Sequence, residues 1–172
     1  MRLLALVAAI ALPGLAGAQS VRDMSRPMGV VEGYDKARLV GEWHQLARSD
    51  NLLEADCHNV TIRIEAREDS RLTLKLACHK GAADGPLVPI EGVMVELIPG
   101  LHQLRLVRLA QFGDLEMAVL WAAPDDSLVV IGSRLGQLGW VLAKSPKADF
   151  AAGVQVLVDN GYDPGAIAPV KQ

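Results

Sequence analysis

The chain has 172 residues, 17 Lys and Arg against 20 Asp and Glu, a formal charge of -3, and 51% hydrophobic residues of which few are aromatic. That length carries one domain with a real core and is short for two. An acidic balance argues against nucleic acid, whose backbone is met by clusters of Lys and Arg.

Residues 1–18 read as a secretion leader. Arg2 supplies the charge, Leu3 to Leu12 the apolar run, and Ala16-Gly17-Ala18 a small-residue cleavage site. Pro13 and Gly14 interrupt the run, which is too short for a stable bilayer-spanning helix. The mature chain is expected to begin near Gln19, leaving 16 basic and 20 acidic residues and a formal charge of -4. No later segment is a transmembrane candidate, and no cysteine lies near the cleavage site to take a lipid anchor. A soluble periplasmic or secreted protein is expected, with a peripheral membrane contact left open.

Residues 19–34 lack periodicity and read as an N-terminal arm, leaving 35–172 as the domain. A strand is predicted at Val40 to Arg48. Val60, Ile62 and Ile64 then alternate with polar neighbours, as do Leu72, Leu74 and Leu76, which gives two half-buried strands. The polar stretch Arg67 to Ser70 between them is a hairpin turn. Cys57 and Cys78 fall at the hairpin's open end, and in an oxidising compartment a single disulfide is expected. Pairing Val60 with Leu76 leaves the cysteines one residue out of register, so an irregularity is predicted between Asp56 and Asn59. Each cysteine is followed by a histidine, His58 or His79, but adjacent strand residues point to opposite faces, which disfavours a shared metal site.

Further strands are predicted at Leu87 to Leu97, Leu101 to Leu109, Leu115 to Ala122, Ser127 to Ser133 and Gln137 to Lys144. The fold class is all-β: an eight-stranded up-and-down antiparallel barrel, a closed form that leaves no sheet edge and holds one small ligand. Ser145 and Pro146 read as N-cap and first turn of one amphipathic helix, with Phe150, Val154, Leu157 and Val158 on its apolar face. Asn160-Gly161 ends it, so one helix is expected to pack outside the barrel.

Two blocks at opposite ends of this sheet carry a family resemblance. They are Asp35-Lys36-Ala37-Arg38-Leu39-Val40-Gly41-Glu42-Trp43 and Trp140-Val141-Leu142-Ala143-Lys144-Ser145-Pro146. Together with Arg48, the paired cysteines, Glu91-Gly92 and the tail from Gly161, they resemble the lipocalins, and Val30 to Asp35 resembles the lead-in of the bacterial members. The resemblance covers essentially the whole mature chain. His44 and Gln45 replace the family's Tyr and Glu after Trp43, and Lys144 replaces an Arg, which keeps the charge and loses the planar fork. In the turn Ala122 to Ser127, Asp126 stands in place of the family's aromatic. The resemblance implies that Gly41, Trp43, Trp140 and Lys144 are structural, with Lys144 over Trp43 where they close one end of the barrel.

Carrying the alternation around such a barrel places Gln45, Ala47, Val60, Ile62, Leu72, Leu74, Ile90, Met94, Leu104, Leu106, Met117, Val119 and Trp121 inside. All of these except Val60 and Leu72 are taken as the candidate ligand lining. It is aliphatic, adaptable through its methionines and poor in the aromatic surface that flat ligands use. The resemblance implies a carrier of a small hydrophobic or amphipathic lipid, a fatty acid or lysophospholipid, with no cofactor. Arg63, Arg105 and Arg108 are candidate head-group contacts. Three rivals stand beside it: a barrel packed solid that acts through a protein partner, an envelope enzyme, and a haem or metal carrier. The enzyme lacks a His-Glu-x-x-His or Gly-x-Ser-x-Gly pattern. The metal carrier would need His44 or His102 inside, and both are expected to face solvent.

Overall fold

The computed structural model describes residues 21–172; the expected leader and cleavage site lie outside them. Eight strands form the barrel: β1 (Gly41–Ser49), β2 (Cys57–Ala66), β3 (Leu72–Lys80), β4 (Leu87–Ile98), β5 (Leu101–Leu106), β6 (Asp114–Ala122), β7 (Leu128–Gly132) and β8 (Gly139–Ala143). Each pairs antiparallel with the next, and β1 bonds both β2 and β8, which closes the sheet. A short ninth strand, β9 (Ile167–Pro169), was not expected; it pairs with Ala47 to Ser49 of β1.

Alternation in β2 and β3 puts Val60, Ile62, Ile64, Leu72, Leu74 and Leu76 into the interior core. Their register differs from the expected one by two residues: Ile62 faces Leu76 and Ile64 faces Leu74. A two-residue slip preserves the faces, so the interior set is unchanged. The expected irregularity is present as a shift between His58 and Thr61, and Asp56 and Asn59 both take positive φ. It brings Cys57 and Cys78 into a disulfide with Cα atoms 5.3 Å apart.

Two other bulges overturn inward assignments. Between Gln45 and Ala47 the register of β1 against β8 shifts by one, so Ala47 joins the outer layer under the helix. Between Val119 and Trp121 the same happens on β6, and Trp121 turns outward beside Val130, with 36% of its surface exposed. A bulge reverses every later side chain on its strand, and nothing in a residue alternation announces it. β5 also ends at Leu106 rather than Leu109. The chain leaves the sheet there, and Arg108 adopts a left-handed conformation at φ 64°.

The helix α1 spans Ala151–Asp159 and so begins later than Ser145 suggested. Ser145 instead closes a turn, its Oγ accepting from the Lys147 N–H, and Asp149 accepts from Ala151 N–H at 3.0 Å. Gly161 at φ 90° ends the helix where expected. Leu157 and Gly153 face the barrel, and a second apolar layer forms between α1 and the outer faces of β6, β7 and β8. The N-terminal arm is anchored on the same side. Buried Arg22 donates to the carbonyls of Asn160, Arg134 and Arg26, and Arg22 bridges Tyr162.

One end of the barrel is shut by a short 3-10 turn, Lys36–Leu39. Trp43 is fully buried beneath it and donates its indole N–H to Leu39 O at 2.8 Å. Lys144 Nζ lies 3.6 Å from the Trp43 ring centroid. Asp126, standing where the family has an aromatic, pairs with Arg38, whose guanidinium also lies 4.7 Å above the Tyr34 ring. The loop therefore clamps the turn that closes this end.

Candidate functional site at the open end of the barrel

The opposite end carries the segments 50–56, 81–86, 107–113 and 133–138, which connect β1 to β2, β3 to β4, β5 to β6 and β7 to β8. Below them, Ile62, Leu74, Met94, Leu104, Met117 and Val119 expose no more than 1% of their surface. In this conformation the deep interior is filled by its own side chains. Accessible apolar space lies higher. A cleft of about 580 Å³ runs between the upper part of β4 and segment 107–113, lined by Val88, Pro89, Ile90, Val107, Leu109 and Arg108 among others. A second, of about 430 Å³, lies among the arm, segment 50–53 and segment 135–138, with Met24, Leu115 and Leu138 in its wall. Leu53 and Phe112 line both clefts and stand between them.

Under this partition lies a buried carboxylate. Glu54 is fully enclosed. Its Oε1 accepts from Gln45 Nε2 at 2.7 Å, and its Oε2 accepts from Trp140 Nε1 at 2.7 Å and Asn51 Nδ2 at 2.9 Å. Arg48 stands alongside, donating to Gln45 Oε1 at 3.3 Å and to Cys57 O at 3.0 Å. Burial pushes the Glu54 carboxyl upward; the hydrogen bonds from Gln45 and Asn51, the Arg48 charge and the Trp140 bond pull it back. Desolvation prevails because a carboxylate removed from water loses more than a few dipoles restore.

Of the expected lining, Ile62, Leu74, Ile90, Met94, Leu104, Leu106, Met117 and Val119 lie in the interior cluster, and Ile90 alone of these borders a cleft. Gln45 points inward but serves Glu54. Trp140 is nearer the open end than a barrel-closing residue would be. Arg63 and Arg105 lie outside, paired with Glu65 and Asp114, whereas Arg108 borders the larger cleft.

His102 departs from its expected position. It shares the inward phase of Leu104, faces Met117 across the ladder and is 1% exposed, with neither ring nitrogen hydrogen-bonded. Burial holds its pKa below the usual range. His44 lies half-buried on the outer face of β1. Both cysteines are bonded, so neither is a thiol nucleophile, and His58 faces His79 outside. Among the described residues no group of three or more His, Cys, Asp or Glu is arranged to hold a metal. Leu53, Glu54, Leu109 and Phe112 were missed because they sit on connections, where no periodicity marks an inward side chain.

A family model described as a lipocalin-like domain matches residues 34–172. The chain belongs to the lipocalin family. Over 74 residues it is 36% identical to the outer membrane lipoprotein Blc of Escherichia coli, a match spanning 43% of this chain and 42% of that protein. The chain thus matches less than half the length of this curated relative. Solved lipocalin-fold structures resemble it more broadly. The cockroach allergen Per a 4 aligns at TM-score 0.61 and 16% identity over 87% of this chain and 96% of the allergen. Insecticyanin of the tobacco hornworm Manduca sexta aligns at 0.59 and 15% over 85% of each. At such identities these two speak for the barrel alone. No helix among the described residues is long and apolar enough to cross a membrane.

Proposed function

We propose that this lipocalin is a periplasmic carrier, without catalytic activity, of a small hydrophobic or amphipathic lipid, a fatty acid or lysophospholipid, bound at the open end of the barrel. The observation that carries the reading is the pair of clefts divided by Leu53 and Phe112. Their volumes lie within the roughly 300–1,000 Å³ of small-molecule sites. Apolar side chains around the opening remain exposed, notably Leu52, Leu87 and Leu135, which suits a ligand passed to or from an apolar phase. The likeness to an outer membrane lipoprotein supports an envelope location.

The filled interior favours a second reading, a packed barrel whose apolar rim meets a protein partner. Native mass spectrometry with lipid extraction, on protein purified from its own periplasm, separates the two. A stoichiometric fatty acid or lysophospholipid is expected. Protein that is empty and refuses both lipids on titration would remove the carrier reading.

A further inference from the structure

We infer that the polar niche beneath segment 50–56 is a receptor for a lipid carboxylate, and that Glu54 is its resident stand-in. The inference rests on the carrier reading and names the head group the site takes.

The niche is built by the barrel wall. Gln45 belongs to β1 and Trp140 to β8, and each places an N–H 2.7 Å from a Glu54 oxygen. Arg48, also on β1, adds a guanidinium whose charge bears on the same carboxyl. The carboxyl group itself comes from the connecting segment. Asn51 is the one donor that would leave with it. With the segment lifted, the wall would retain two buried N–H donors and a cation facing no wall carboxylate, an arrangement that is costly to leave unsatisfied.

A second feature couples this niche to apolar space. Leu53, which divides the two clefts, directly precedes Glu54. One movement of the segment would vacate the niche and join the clefts, making room for a head and a tail together. A cleft of about 400 Å³ already borders Arg48, Asn51 and Glu54 from the segment's outer side, so an approach exists. Two N–H donors aimed at two oxygens, with the Arg48 charge alongside, match a planar carboxyl group. The other acids near the niche, Asp50 and Asp56, line the approach cleft and belong to the segment rather than to the wall.

The test uses the whole mature protein and its Glu54→Ala variant, titrated with palmitate and with methyl palmitate. Palmitate should bind the variant roughly tenfold more tightly than the wild type, about 1.4 kcal/mol, with the ester unchanged. Acetate should raise the variant's melting temperature where chloride at equal ionic strength does not. Should the variant fail to fold, the wild type answers by NMR: an NOE is expected from the palmitate C2 protons to the Trp140 indole N–H. Equal gains for acid and ester, or an NOE confined to the exposed rim, would overturn the niche and leave the carrier reading standing. If neither ligand binds either protein, the carrier reading falls and the niche with it.

Discussion

A Cβ on Gly41 would stand 2.9 Å from Lys144 Nζ, at a backbone φ of 125° that L side chains rarely adopt. The Gly of the Gly-x-Trp block is therefore required twice, by conformation and by the cation resting on Trp43. Gly41→Ala is expected to cost about 1–3 kcal/mol in urea unfolding and to loosen Lys144 from the indole, read as a change in Trp43 emission. Glu54 gives a second test. Its carboxyl is raised in the folded protein by burial. The stability it contributes is thus present below the unfolded pKa and lost as pH rises through the folded one. Glu54→Gln cannot titrate, so the melting temperature of the wild type relative to this variant should fall as pH rises from the ordinary carboxyl range through the raised folded value. A difference that is flat or rises with pH would show that the donors and Arg48 outweigh desolvation.

The strands and the hairpin were legible because a half-buried strand writes its burial into an alternation of residue types. Val60, Ile62 and Ile64 fill the interior as that alternation indicates. Ala47 and Trp121 were not legible, since a bulge is a property of two paired strands and leaves no mark on either alone. The irregularity near Asn59 is the exception. There the two cysteines supplied a second constraint on register, and the conflict between it and the alternation located the bulge. The disulfide spans 21 residues and ties β2 to β3 at the open end. Chain-entropy arguments assign such a loop about 3 kcal/mol. The double variant Cys57→Ala with Cys78→Ala should lose about that much in denaturant unfolding, and reducing agent should then have no further effect on it.

For the molecule as a whole, the barrel separates a filled base from an accessible mouth, and under the proposed carrier function this division decides which residues would govern binding. Leu104 is fully enclosed in the deep interior, whereas Leu53 lies between the clefts. Truncating each side chain should have opposite consequences. Leu104→Ala leaves a void among close-packed neighbours and is expected to cost about 2–5 kcal/mol of stability, with lipid affinity unchanged. Leu53→Ala removes a half-buried partition and should cost little stability, but it joins the two clefts and should speed association of a fluorescent fatty acid several-fold. Urea unfolding and stopped-flow binding on the two variants read both effects. Should Leu104→Ala instead raise affinity more than Leu53→Ala does, the lipid occupies the depth of the barrel, and the filled base is a conformation that opens when ligand enters.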